Sequence, residues 1–343
     1  MKVAVIGLGH IGGSFAKALL ESNVYVTCYD SDECTRTHAK DAGLRCTDNV
    51  SDALSGADLV VLATPTSAIP MVLAEVVDCI SKWEASAAQV VISDLSSTKS
   101  GFLDTAYEMV ARLSSSTCHD VEYLSLHPMA GREGSGFDSS DAQLIRSSTW
   151  AILMDQEHSF HAISVAMKVI GHLDGKGLFI DPKVHDQAVA LISHVPHLMS
   201  LAYTQLLENS QIRGISLSLK AGSFKDMTRV AKTDSEKVAA MVVPNRDNLV
   251  TLVDDLIDIL GVVKSNMRTQ DSFVEFASPL AAFLNVTEQA DNIQLSSKAI
   301  TVRASELNAV LKEICTGGGL VQSISTDKDA EHVRVTFFKR QSS

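Results

Sequence analysis

The chain has 343 residues, 45% of them hydrophobic, and a formal net charge of −12 at pH 7. That length accommodates two domains and a small third. The acidic balance argues against nucleic acid or an anionic membrane as the main partner, so an anionic substrate would have to be held by local cations.

Six cysteines (Cys28, Cys34, Cys46, Cys79, Cys118 and Cys315) are scattered, with no CxxC and no His/Cys ligand spacing. Neither structural disulfides nor a metal site is expected, in keeping with a cytoplasmic setting. Met1 to Ile6 runs straight into a strand pattern, and no signal peptide is read there. The most apolar long window, Leu59 to Val77, contains Pro65 and Pro70 and reads as strand, loop and helix rather than a membrane span.

Lys2 to Ile6 is a continuous apolar run, as in a strand buried on both faces. Gly7-Leu-Gly9-His10-Ile11-Gly12-Gly13-Ser14 follows, then helical apolar spacing over Phe15 to Glu21, then a strand from Val24 to Tyr29 that ends at Asp30. A GxGxxG between strand and helix, with an acid about 20 residues on, signals a dinucleotide site. Its glycines permit a tight turn and close approach of pyrophosphate to the helix N-terminus, and the acid accepts from a ribose. The expected cofactor-binding set is Gly7, Gly9, His10, Ile11, Gly12 and Asp30, with Thr64 and Pro65 after the next strand. His10 is expected to pack beside the loop or face solvent rather than catalyse. Asp30, Asp32 and Glu33 would repel a 2′-phosphate, and no arginine precedes Arg36, which favours NAD over NADP.

Strands and helices keep alternating: strands at Asp58–Ala63, Gln89–Ser93, Val121–Leu126 and Thr149–Met154, a helix at Ser159–Leu173, and a strand at Gly177–Ile180. This rhythm predicts a doubly wound sheet. The loop at 94–99 pairs Ser97 with Lys99 near the expected crevice, with helix capping as the plainer reading. Ser125 to Gly136 organises the rest, because His127-Pro128 ends a strand and a glycine-rich loop follows. Ligand crevices lie beyond the carboxyl ends of parallel strands. His127 is therefore a candidate base, against the simpler reading that it caps the strand.

From Pro182 the pattern is helical only. Val184 to Asn209 is interrupted at Pro196, within Ser193-His194-Val195-Pro196-His197, where a proline should kink the helix. His194 and His197 are three apart and should share a face, with no ligand-spaced carboxylate or cysteine beside them. The segment Ala221 to Ala231 presents Arg229 as an anion site or, equally plainly, a surface salt bridge. Asn245 to Leu260 is apolar on one face, which suits a two-fold dimer. From about Glu288 the composition changes. Ile293–Val302 reads as a strand, Ala304–Cys315 as a helix, and Leu320–Thr326 and His332–Phe338 as strands, with no catalytic constellation.

Five motifs in order, GLGHIGGS at 7–14, DLSSTK at 94–99, HPMAGRE at 127–133, SHVPH at 193–197 and GSFKDMTRVA at 222–231, resemble the prephenate/arogenate dehydrogenase family of tyrosine biosynthesis. The resemblance covers roughly residues 1–280. It implies an α/β Rossmann dinucleotide-binding domain (1–182) followed by an all-α substrate and dimerisation domain (183–285); the pattern of the remaining residues reads as a small α+β C-terminal extension (286–343), regulatory or structural in role. The extension resembles only the first part of an ACT domain. The implied activity is NAD-dependent oxidative decarboxylation of prephenate to 4-hydroxyphenylpyruvate, or of arogenate to tyrosine, by a cytoplasmic homodimer.

Carried over by motif, His127 would take the proton of the ring hydroxyl and Ser97 would orient it. Arg229 would hold the ring carboxylate, His197 would contact the substrate or the cofactor side of the pocket, Ser193 and His194 would line it, and Glu133 would join an entrance network. The chain departs from the family at Lys225-Asp226, where Arg-Asp is frequent, and at 233–239, which lacks a tryptophan. That region would distinguish a keto from an amino side chain. Two other readings fit parts of the pattern. A β-hydroxyacid-type dehydrogenase needs a lysine base after glycines on the first interdomain helix, and Val184–Asn209 has neither residue. A non-catalytic NAD(H) sensor needs none of His127, Ser97 and Arg229.

Overall fold

The computed structural model describes residues 1–83, 89–99, 101–132, 134–292, 296–326 and 331–339, with backbone only at 286–292. The first layer is built from short apolar runs separated by helices. In order they are β1 (Lys2–Ile6), α1 (His10–Glu21), β2 (Tyr25–Tyr29), α2 (Glu33–Asp41), β3 (Arg45–Cys46), α3 (Val50–Leu54), β4 (Leu59–Leu62), α4 (Ile69–Ser81), β5 (Gln89–Asp94), α5 (Leu103–Ser116) and β6 (Asp120–Tyr123). These strands form a parallel sheet of order β3-β2-β1-β4-β5-β6. Side chains alternate between its faces. Val3, Val5, Leu59, Val61 and Val91 enter one core with Phe15 and Leu19 of α1, whereas Ala4, Ile6, Val60, Leu62 and Ile92 enter a second with Leu73 and Leu113. Both faces are covered, which explains why the strands are apolar throughout.

The run that reads as one strand over Val121–Leu126 is two. After β6, the Leu124 N–H still donates to Ile92 of β5 at 2.9 Å, but the Ser125 carbonyl already accepts from Leu153 at 3.0 Å. The chain thus leaves the first sheet and enters a second as β7 (Leu126–Pro128), followed by β8 (Thr149–Leu153), α6 (Phe160–His172) and β9 (Lys176–Ile180). Buried hydroxyls pay for the crossing: Ser93 Oγ donates to the Leu124 carbonyl and Ser125 Oγ to Asp94. The expected single doubly wound sheet is therefore divided between two sheets.

The helical region comprises α7 (Pro182–Val189), a π turn at Ala190–His194, α8 (Val195–Glu208), α9 (Arg213–Ser218), α10 (Gly222–Thr228), α11 (Ser235–Val242), α12 (Arg246–Asn266) and α13 (Gln270–Asn292). The Asp181 carboxylate caps α7 by accepting from the N–H groups of Lys183 and Val184. Pro196 lies in the first turn of α8 and has no N–H to donate; the disturbance expected there takes the form of the preceding π turn. Among the described residues no helix is long and apolar enough to cross a membrane.

The tail contributes β10 (Ser296–Arg303), α14 (Leu307–Thr316), β11 (Leu320–Thr326) and β12 (His332–Lys339), close to the expected elements; residues 293–295 of the expected first strand lie outside the described residues. These strands complete the second sheet, of order β10-β12-β11-β9-β8-β7. Val321 pairs with Gly177, and Leu307, Leu311 and Phe337 join the same core as Trp150 of β8.

Candidate active site

Gly7 has φ +97°, and a Cβ there would lie 2.8 Å from the Ala63 backbone; one on Gly12 would lie 2.1 Å from the Gly7 carbonyl. These two glycines close the turn from β1 into α1. Gly9 is different, since a Cβ there would meet nothing within 4 Å. Gly9 caps α1 without a side-chain bond, so the helix directs unpaired N–H groups outward. The Asp30 carboxylate ties the end of β2 to this loop by accepting from the Leu8 N–H at 2.6 Å. Asp32 is committed to capping α2. Arg36 folds back onto the carbonyls of Asp30 and Ser31 at 2.8 and 3.1 Å, closer to Asp30 than its spacing suggests.

Four buried polar atoms here lack partners: both ring nitrogens of His10, Arg36 Nε, and Thr64 Oγ1 at the end of β4. Orphaned polar atoms around an open glycine fit a polar ligand such as a dinucleotide. Ile11 is half-buried against the core, and Pro65 sets extended backbone ahead of the turn at Thr66–Ala68. The loop after His127 closes on the same place. Gly134 abuts His10, and Lys237 of α11 donates to the Gly134 carbonyl. Burial, then the Lys237 charge, pulls the His10 pKa below its usual value. Lys237 is a contact that spacing alone does not disclose.

The second half of the site begins at the end of β5. Lys99 Nζ donates to Asp94 at 2.7 Å, to Ser96 Oγ at 3.2 Å and to the Leu126 carbonyl at 2.7 Å. Tyr123 donates to the same Asp94 carboxylate at 2.8 Å. Burial by itself would raise the Asp94 pKa, but the Lys99 charge and these donors hold it below the usual range. Lys99 is therefore no crevice cation: it is closed to solvent and fixes the residue before His127. Ser97 stays half-buried on the same loop.

His127 projects from β7 toward α7. Its Nδ1 lies 2.9 Å from His185 Nε2, with the rings edge to face at 5.1 Å. His185 Nδ1 lies 2.9 Å from Asp186 Oδ1, and the Asp186 carboxylate accepts the Lys99 backbone N–H at 3.1 and 3.3 Å. Burial, then the nearby Lys99, His185 and His194, depresses the His127 pKa well below its ordinary value, so the ring is neutral at physiological pH.

His194 accepts from Asn245 at 3.2 Å, and the same amide donates to the Asp186 carbonyl at 2.8 Å. Burial pushes the His194 pKa down to about 4. His197 donates from Nδ1 to the Ser193 carbonyl at 2.9 Å and receives Thr233 Oγ1 at 3.4 Å. The two histidines expected to share a face thus have different partners. Arg229 sits exposed at the end of α10, which is tied to α8 by Ser200 donating to the Met227 carbonyl at 2.6 Å. Ser193 is half-buried, and Glu133 lies outside the described residues. Residues that sequence reasoning missed are His185, Asp186, Asn245 and Lys237. A His-Asp pair in the first turn of the helix after the last Rossmann strand was the available signal.

Family models match both halves. The prephenate dehydrogenase nucleotide-binding domain matches residues 15–177, and the prephenate dehydrogenase dimerization domain matches residues 181–280. The chain belongs to the prephenate dehydrogenase family. Cyclohexadienyl dehydrogenase of Zymomonas mobilis is 28% identical over 78% of this chain and 89% of its own length. Prephenate dehydrogenase of Lactococcus lactis is 26% identical over 79% of this chain and 72% of its own. The fold matches that of Aquifex aeolicus prephenate dehydrogenase, solved with hydroxyphenyl propionate and NAD+, at a TM-score of 0.72 and 21% identity, over 84% of this chain and 98% of that one. The seam between the two family domains, at 177–181, falls just before His185 and Asp186.

Proposed function

We propose that this prephenate dehydrogenase family member oxidatively decarboxylates prephenate to 4-hydroxyphenylpyruvate with NAD as hydride acceptor. Arogenate, giving tyrosine directly, is the second reading, supported by the likeness to a cyclohexadienyl dehydrogenase. The observation that carries the proposal is a half-buried His127, its Nδ1 2.9 Å from His185 Nε2, at the seam between the glycine-loop domain and the helical domain.

Gly7, Gly9, His10, Ile11, Gly12, Asp30, Thr64 and Pro65 hold the dinucleotide. The nicotinamide supplies the acceptor for the hydride leaving the substrate carbinol carbon. His127 removes the hydroxyl proton as that C–H bond breaks, and Ser97 orients the hydroxyl. Arg229 binds the ring carboxylate in an otherwise acidic protein and sets the ring's orientation. Ser193, His194 and His197 line the pocket, and Glu133 borders the entrance. Once the carbinol is a ketone, the C–C bond to the ring carboxylate breaks, carbon dioxide departs and the ring becomes aromatic.

The division at 1–182, 183–285 and 286–343 is part of the proposal. So is a homodimer, supported by exposed apolar side chains such as Ile257, Leu260, Phe273 and Phe283 on α12 and α13. The cytoplasm is the proposed compartment, supported by six free thiols. The test is direct: purified protein with NAD and either prephenate or arogenate should reduce the cofactor, and failure with both substrates would remove the reading.

A further inference from the structure

We infer that His185 and Asp186 act as a positioning dyad that fixes His127 in its Nδ1–H tautomer and leaves Nε2 bare to accept the substrate proton. The inference rests on the reading of His127 as the base. It follows from which atoms can donate.

Asp186 already accepts the backbone N–H of Lys99 through both carboxylate oxygens, and an ionised carboxylate only accepts. Its 2.9 Å contact with His185 is therefore Nδ1–H donating to Oδ1. A neutral imidazole with a protonated Nδ1 has a bare Nε2. The 2.9 Å contact from that Nε2 to His127 Nδ1 is then a hydrogen bond only if His127 donates. Neutral His127 is left with its lone pair on Nε2, the ring nitrogen not engaged by the dyad.

Position reinforces the chemistry. β7 has three residues and is an edge strand, and the His127 ring it carries is tied to α7 through His185. His185 and Asp186 are 2% and 1% exposed and sit on α7, a helix capped by Asp181. The charged and titratable groups facing the pair are Lys99 from the loop after β5, Asp186 itself, and His194 from the π turn. Asn245, at the start of α12, holds the Asp186 backbone from the other side. When His127 gains a proton at Nε2, its Nδ1–H bond becomes charge-assisted, and Asp186 compensates the charge one ring away.

The experiment is nitrogen NMR on the full-length protein with labelled histidine, without substrate, His127 being assigned by the signals lost in His127→Asn. Expected are a protonated, pyrrole-like Nδ1 and a bare, pyridine-like Nε2. The opposite pattern, as when His185 holds a second proton and donates to His127, overturns the inference. Kinetics give a second reading. His185→Leu should lower kcat about 10²-fold with KM for NAD unchanged, and should move the acid limb of kcat/KM to lower pH because the imidazolium loses its acceptor. His185→Gln, whose amide oxygen reaches the former Nε2 position, should restore most of the rate. Equal losses in both variants with an unmoved acid limb would mean that His185 only packs. Because the NMR pattern needs no turnover, it stands or falls separately from the substrate assignment.

Discussion

Lys99 and Asp94 form an ion pair, 2.7 Å from Nζ to Oδ1, with both side chains closed to solvent. The same ammonium holds the Leu126 carbonyl, and the same residue's backbone N–H holds Asp186. One buried charge pair thus anchors both the strand that carries His127 and the helix that carries its partner. Lys99→Met would leave Asp94 charged and uncompensated, and should destabilise the protein by about 3–5 kcal/mol. Urea unfolding measures this, and a loss under about 1 kcal/mol would show that the pair is not structural. The double variant with Asp94→Asn should cost less than the sum of the singles, because the two residues share one network.

The glycine loop separates binding from folding. Gly9 has φ −66°, which alanine adopts, and open space at its Cβ position. Gly9→Ala should leave the melting temperature unchanged while raising Kd for NAD tenfold or more, about 1.4 kcal/mol. Gly12→Ala, with its Cβ driven onto the Gly7 carbonyl, should lower the melting temperature. Equal stabilities in the two variants would contradict this division of labour.

His127→Asn should lower kcat by roughly 10²–10⁴-fold with little change in KM, as expected on loss of a general base. Arg229→Ala should chiefly raise KM for the substrate. The reverse pattern in steady-state kinetics would mean that the two roles are misassigned.

Acid should weaken the fold before it reaches the carboxylate range. His194 titrates near pH 4 in the native state and His127 well below 6.5, whereas unfolded histidines titrate near 6.5. Between those values the unfolded chain takes up protons that the native state refuses, so stability falls as pH drops from about 6.5 toward 4. Urea titrations across that interval should show the slope, and His194→Gln should flatten it. The acid limb of kcat/KM should lie below 6.5, since His127 stays neutral until then.

Much of this molecule was legible in the chain, and the gaps have physical causes. The glycine loop, Asp30 and His127 were visible because each depends on neighbours close in sequence. The split at Leu124–Ser125 was not, because Val121 and Tyr123–Leu126 are buried alike on both sides of it, with no glycine or proline at the crossing. Lys99 read as a crevice cation because nothing local announces that Asp94 will swallow its charge along with Tyr123 and Ser125. The link from His127 to His185 spans 58 residues, and no helical or strand period reports a bond of that length.

The pairing of Val321 with Gly177 sets an order of assembly. β9 lies between β8 and β11, so one of its edges has no neighbour until β11, which follows the whole helical region, has been made. A nascent chain halted after the helical region would hold every proposed catalytic group and still lack the strands that complete the sheet bearing His127. Loss of β11 would therefore be felt at the imidazole through β9, β8 and β7.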